Sequence, residues 1–245
     1  MEHYSMKKAD LVFVLNENTV SNLIEFGKIK AANIRLIPNG VNTDVYKKLP
    51  VNDKRVLDLR KELKLENKKI FFHAGTICER KNQLEIIQYL TPAFKSNPDL
   101  VLIYAGGIRE DDYFVAINNY IKESQIEKNV IYAGELPPGE HLNTYYNLSE
   151  AFIFFSKSEG FSLALLEALS SGLPTVLSKN LEIGFIKETD IGILIFNNQE
   201  EFLSLIEKEI LCSTRREHHS EKGCVFIENN YSWNKVVDKY FPDIS

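Results

Sequence analysis

The sequence predicts an α/β protein built on a doubly wound parallel sheet with helices on both faces. Two observations carry this. Strand-period and helix-period segments alternate almost throughout the 245 residues. Most strand segments are nearly continuous apolar runs, such as Leu100–Ala105 and Ala151–Phe155. Strands buried on both faces read this way, and helices must then cover both faces of their sheet. The expected arrangement is Rossmann-like.

The elements follow in order. A first strand is expected over Asp10–Leu15, a helix over Glu17–Phe26, and a strand over Ile34–Pro38, stopped by Pro38-Asn39-Gly40. A two-stranded sheet is marginal alone, and Leu11-Val12-Phe13-Val14-Leu15 is too apolar for one helix to cover. Either this unit joins the main sheet, or most of its own sheet is missing from this chain. Mixed-sign charge over Asn52–Lys69 surrounds a narrow stripe of Val56, Leu59 and Leu63, which reads as a solvated helix over Asp53–Leu63. Strands at Ile70–Ala74, Leu100–Ala105 and Val130–Ala133 then alternate with helices at Asn82–Phe94, Asp111–Glu123 and Gly139–Asn147. After strand Ala151–Phe155, Ser162 is a good N-cap for a helix over Leu163–Ser171. Gly172 suits its C′ position and Pro174 prevents continuation. Strands Pro174–Ser178 and Gly192–Ile195 and helices Glu200–Leu211 and Ser232–Tyr240 complete the pattern, and His218 and His219 fall in a further polar helix.

Composition narrows the function. With 29 Lys+Arg against 34 Asp+Glu the net charge is −5, a poor basis for nucleic-acid binding. No apolar run approaches the roughly 20 residues of a membrane span, and no signal peptide is expected. Cys78, Cys212 and Cys224 form neither a disulfide framework nor a zinc site and suggest a reducing compartment. Gly134 to Gly139 lacks the Lys-Ser/Thr of a P-loop, and Gly106-Gly107 reads as a tight turn, not a dinucleotide fingerprint. His73 reads as a hydrogen-bonded structural histidine.

The strongest site signal runs from Ala151 to Pro174. A buried strand gives way to a loop of small and polar residues that opens a helix, where open sheets bind ligands and free N–H groups favour anions. Gly160 allows close approach of backbone to a ligand. Glu167 lies in a helix that is apolar all round, so its carboxylate needs a partner. Glu159, eight residues earlier, would alone be a solvent-facing loop acid. Together the two carboxylates bracket a helix N-terminus, which suits a ligand carrying both phosphate and hydroxyl groups. Arg80 and Lys81, in the loop after strand Ile70–Ala74, offer a fork and a point charge suited to a diphosphate.

Glu159-Gly160-Phe161…Glu167-Ala168 resembles the E-x7-E signature of the retaining glycosyltransferases of family 4, the group 1 glycosyltransferases with the two-domain GT-B fold. Gly75-Thr76…Arg80-Lys81-Asn82 resembles its diphosphate loop, and Val130–Pro137 the loop beside the base. Ala9–Val12 with Ile37–Val41 resembles its inter-domain junction, and Tyr231-Ser232-Trp233 the start of its final helix. The resemblance implies that Arg80 and Lys81, with Gly75, hold the donor diphosphate, and that Glu159 binds hydroxyls of the transferred sugar. It implies backbone contacts from Gly160, Phe161, Ser162 and Leu163, ribose contacts from Glu167, and a base framed by Gly134 to Pro137, including Leu136. Thr76 stands where the family often has arginine, and Asn42 where it often has aspartate.

The resemblance further implies the C-terminal half of a GT-B fold. Residues 1–38 would be a remnant of the N-terminal acceptor domain, residues 39–225 the nucleotide-sugar domain, and residues 226–245 a helix packing back toward the N-terminal segment. The expected substrate is a nucleoside-diphosphate sugar such as a UDP- or GDP-sugar, used without a metal, and the acceptor a glycan or lipid-linked glycan. Expected surroundings are the cytoplasm or the inner face of a membrane, with a chain supplying the N-terminal half, or self-association. Two alternatives are a GT-B nucleotide-sugar epimerase and a non-catalytic partner that only binds nucleotide.

Overall fold

The computed structural model describes residue 6 and residues 8–179, 181 and 191–240. Residues 1–5, 7 and 241–245 of the two outer segments anticipated above lie outside the described residues. Strands β1 (Val12–Val14) and β2 (Ile34–Leu36) pair in parallel around helix α1 (Glu17–Glu25). They form a separate two-stranded sheet and do not join the larger one. Its core is small, consisting of Val14, Ile29 and Ile34. Leu11, Leu15 and Leu36 remain exposed, and α1 buries no residue completely.

The larger sheet holds β3 (Lys69–Ala74), β4 (Leu100–Ala105), β5 (Val130–Tyr132), β6 (Ala151–Phe154), β7 (Thr175–Ser178) and β8 (Ile193–Phe196). All pairs are parallel, in the order β5-β4-β3-β6-β7-β8. This is the doubly wound order, and it reverses between β3 and β6. Helices α2 (Lys54–Glu62), α5 (Glu140–Leu148), α6 (Leu163–Ser170) and α8 (Ser213–Asn230) contribute to the core on one face, where Phe72 and Phe152 meet Tyr146, Leu166 and Ile227. Helices α3 (Gln83–Ser96), α4 (Asp111–Glu123) and α7 (Gln199–Leu205) cover the other, where Phe71 and Ile153 meet Ile87, Ile117 and Phe202. Burial on both faces accounts for the unbroken apolar strands.

Local chemistry fixes several joins. Pro92 removes an N–H inside α3, and the carbonyl of Gln88 that it would have served accepts from Gln199 Nε2 at 3.3 Å. At Gly106, with φ +148°, a Cβ would stand 2.0 Å from the Gly75 carbonyl oxygen, so the turn after β4 requires glycine. A π-turn (Ile206–Ile210) extends α7 before α8 begins. The buried face of α8 includes His219, Ser220 and Gly223, which carry little apolar signal. Helix α8 also runs through residues 225 and 226, so the expected division between them falls inside a helix. Helix α9 (Trp233–Tyr240) starts against the chain at Val41, which bonds Tyr231 and Trp233 through the backbone.

Candidate functional site

The loops after β3 and β6 meet where the strand order reverses. Backbone sews them together: Lys157 N donates to Arg80 O at 2.8 Å. Arg80 Nη1 donates to Ser158 O at 2.9 Å and to Glu159 Oε1 at 3.1 Å, and Lys81 Nζ donates to the same oxygen at 2.6 Å. Three residues read as site residues from two distant segments are thus in direct contact. Glu159 is no solvent-facing acid, because its side chain is only 7% exposed, against 47% for Arg80. Lys81 is held further by the face of Phe154, 5.4 Å from the ring centroid. Both contacts fall on Oε1, and the two cations exceed the one carboxylate by a unit of charge.

The loop after β3 is braced from below. Gln83 Nε2 donates to Thr76 O at 2.9 Å and lies 3.3 Å from His73 Nε2. His73 is fully buried, and Nδ1 lies 2.9 Å from Ile153 O. A carbonyl only accepts, so Nδ1 carries the proton and Nε2 accepts from Gln83. Burial, with Lys81 nearby, pushes the His73 pKa down to about 4, so the ring is neutral as a structural histidine should be.

Ser162 occupies the N-cap position of α6 but makes no capping bond. Its buried hydroxyl has no hydrogen-bond partner. The orphan N–H groups of the first turn are therefore not satisfied by their own cap. Nor is α6 buried all round, since Leu163 is 46% exposed where the helix opens.

One turn further along, Glu167 is half-buried and accepts from Tyr146 Oη at 3.0 Å. Burial pushes its carboxyl above the usual range, and hydrogen bonds from Tyr146 and Tyr46 pull it back. The partners that its carboxylate needs are thus two tyrosines. The Tyr46 hydroxyl also accepts from Gly139 N at 2.9 Å, which ties Glu167 to the end of the loop expected to frame a base. In that loop Gly134 has φ +74° and open space where a Cβ would be, and Leu136 packs on the core. Gly160 likewise has room, but its carbonyl accepts from Asn16 Nδ2 at 3.2 Å. Asn16 caps α1 through Oδ1, so one side chain joins the small N-terminal unit to the Glu159 loop.

Tyr46, Tyr146, Asn16 and Gln83 are the positioning residues that sequence reading misses. For Tyr146 a signal exists: a phenol on an apolar helix face needs a polar partner. No cluster of three or more metal-ligating side chains occurs among the described residues, and none of their helices is long and apolar enough to cross a membrane.

An anion-favouring helix start, two carboxylates and two cations thus meet at the switch point of a doubly wound sheet, the place where open α/β folds bind ligands. The family of glycosyl transferases group 1 matches residues 56–224, and the chain belongs to it. Among curated relatives, it is 25% identical over 191 residues to spore coat protein SA of Bacillus subtilis, covering 74% of this chain and 50% of that protein. It is 30% identical over 167 residues to alpha-galactosylglucosyldiacylglycerol synthase of Streptococcus pneumoniae, covering 67% of this chain and 42% of that one. The chain spans about half the length of such relatives. Among solved structures, Anabaena HepE in complex with UDP and glucose superposes with a TM-score of 0.84 at 17% identity, over 98% of this chain and 64% of that one. The C-terminal domain of a Francisella tularensis group 1 glycosyl transferase gives a TM-score of 0.68 at 19% identity, over 79% of this chain and all of that domain. At these identities the structural likeness establishes the GT-B type of α/β fold.

Proposed function

We propose that this chain is the donor-binding half of a retaining, hexosyl-type glycosyltransferase of family 4. It binds a nucleoside-diphosphate sugar and transfers the sugar to a glycan or lipid-linked glycan, in the cytoplasm or at the inner face of a membrane. The observation that carries this reading is the knot of Glu159 with Arg80 and Lys81 beside the uncapped start of α6. Relatives named as glycosyltransferases, and HepE crystallised with UDP and glucose, support it.

Each group then has work. Lys81 has three donors and gives one to Glu159; Arg80 has five and gives Nη1 to Ser158 and Glu159. The remaining donors, with the N–H groups of Gly160 to Leu163, face the diphosphate and stabilise charge as it leaves. Glu159, fixed through Oε1, accepts sugar hydroxyls through its other oxygen. Glu167, oriented by Tyr146, accepts ribose hydroxyls, and Gly134 to Leu136 lie along the base. In a retaining enzyme of this kind the acceptor attacks on the face that the diphosphate leaves, so no enzymic nucleophile is needed. Residues 1–38 would belong to the acceptor domain, whose remainder another chain or segment supplies.

The test is a calorimetric panel of UDP-, GDP- and ADP-sugars against the purified chain. One nucleotide sugar is expected to bind with micromolar affinity, and its free sugar not at all. Binding of none at millimolar concentration would overturn the reading.

A further inference from the structure

A second cleft of about 350 Å³ opens at the opposite edge of the large sheet. Its lining includes Ser149 and Glu150, just before β6, and Leu173 and Pro174, just before β7. The Glu159 loop follows the other end of β6, a strand of four residues or roughly 13 Å. The two sites therefore lie at opposite ends of the same strand. The volume is within the range of small-ligand pockets.

Three cations line this cleft, Lys48, Arg60 and Arg216, against two carboxylates, Glu150 and Glu217. Their orientations are fixed from outside. Arg60 Nη1 donates to Leu65 O and Lys68 O at 3.1 and 3.0 Å, and Nη2 to Leu148 O at 3.0 Å. Arg216 Nη1 donates to Ile210 O at 2.9 Å. Neither guanidinium is used up, since each has five donors. Lys48 pairs with Glu217 at the exposed rim. Glu150 is buried and accepts from Ile70 N at 2.6 Å, with Lys69 Nζ 4.0 Å away. Burial raises its carboxyl, and the Ile70 N–H bond, followed by the charges of Arg216, Arg60 and Lys69, draws it back.

One feature is left without a structural purpose. Ser220 is 4% exposed, lines the cleft, and its hydroxyl has no hydrogen-bond partner, a costly state for a buried group. Gly172 keeps the space beside it open: a Cβ there would stand 2.9 Å from Ser220 Oγ and 3.0 Å from Lys48 Cδ. An acceptor group placed in the cleft would satisfy the hydroxyl and take the excess positive charge, while Glu150 and Glu217 are acceptors for hydroxyls.

We propose that this cleft binds a small phosphorylated sugar or polyol, its phosphate on Arg216, Arg60 and Ser220 and its hydroxyls on the acidic side. Charge-assisted bonds from two arginines suit a phosphate, and the apolar walls of Val56, Leu57 and Leu173 suit a sugar ring. Tyr146, fully buried behind the cleft wall, donates to Glu167, so the wall that an occupant packs against is continuous with a residue that shapes the donor site.

The test is calorimetric titration of the full chain with glucose 6-phosphate, glucose and inorganic phosphate as probes. Glucose 6-phosphate is expected to bind one-to-one and more tightly than either fragment. Arg216→Gln should weaken it at least ten-fold. Because that change also strips a partner from Glu150, Leu57→Trp serves as a second variant that fills the cleft from its rim without touching a charge, and it should weaken binding as much. Lys81→Ala, which alters the donor loop, should leave it unchanged. No binding at millimolar concentration, equal affinity for either fragment, undiminished binding in Leu57→Trp, or loss in Lys81→Ala would each overturn the proposal.

Discussion

Lys81 Nζ and Glu159 Oε1 stand 2.6 Å apart, though 78 residues of chain separate them. The Lys81 side chain is 12% exposed and that of Glu159 7%, so the pair is largely withdrawn from water. Such a pair makes little net contribution to stability, because desolvation offsets attraction, but removing one partner strands the other. Its value is geometric: a cation and an acceptor are held side by side at the start of α6.

Lys81→Ala should therefore weaken nucleoside diphosphate binding by ten-fold or more, on the scale of about 1.5–3 kcal/mol for a charged hydrogen bond. Affinity for the bare nucleoside should hardly change. Arg80→Ala should lose less, since its side chain is 47% exposed and water competes. Calorimetry with both ligands decides this; equal losses for nucleoside and diphosphate would mean that these residues act through folding.

Glu167→Gln should separate binding from stability. Nucleotide affinity should fall about ten-fold, through loss of a charged acceptor. The carboxyl is raised by burial above its ordinary 4.5, so between 4.5 and that raised value the folded state binds more protons than the unfolded. Native stability from this group thus falls as pH rises through the window, and Gln has no such dependence. The variant's stability relative to the native protein should improve as pH rises through the window and level off above it. Tyr146→Phe, which removes the 3.0 Å bond, should raise the Glu167 pKa further and weaken nucleotide binding several-fold. Urea titrations across pH, with calorimetry at neutral pH, test both.

His73 predicts a dependence of the opposite sign. Its ring titrates near 6.5 when unfolded and about 4 when folded, so between these values the unfolded chain binds the extra proton. Stability is complete above pH 6.5 and lost as pH falls toward 4, by up to about 3 kcal/mol if the whole shift is expressed. His73→Asn should be less stable at pH 7 but flatter across this range. Parallel pH profiles for the two proteins would show that the histidine does not titrate between folded and unfolded states.

The large sheet was legible because strands buried on both faces leave unbroken apolar runs, as in β4, where all six residues are buried. The bounds of α8 were not, because its buried face uses His219, Ser220 and Gly223 in place of an apolar stripe. The separate two-stranded sheet could be framed only as one of two outcomes, since periodicity says nothing about which strands pair. At the site, residue types and spacing singled out Arg80, Lys81, Glu159 and Glu167, but their contacts depend on loops brought together by a strand order that no local pattern encodes. The hydroxyls of Tyr46 and Tyr146 matter only once Glu167 lies beside them. Ser162 has the residue type of a cap, yet its hydroxyl makes no capping bond.

The N-terminal unit supports the last prediction. Strand β1 pairs only with β2 among the described residues, and α1 covers the pair with no fully buried side chain. Leu11, Leu15 and Leu36 are 47%, 42% and 38% exposed, and Phe26 on the same unit 70%. Exposed apolar strands with open edges favour pairing with another chain. Asn16 nevertheless anchors the unit to Gly160, so whatever covers these strands lies close to the Glu159 loop. The purified 245-residue chain should bind nucleotide sugar, transfer little or none of it to an acceptor, and associate with itself at micromolar concentration. Leu11→Lys with Leu15→Lys, which places charge on the exposed apolar surface flanking β1, should shift sedimentation toward monomer and leave nucleotide affinity within about two-fold, because Asn16, which anchors the unit to Gly160, is unchanged. A monomeric native chain that sustains transfer would mean that the acceptor is held by surfaces of residues 39–240, and that the apolar strands serve no assembly.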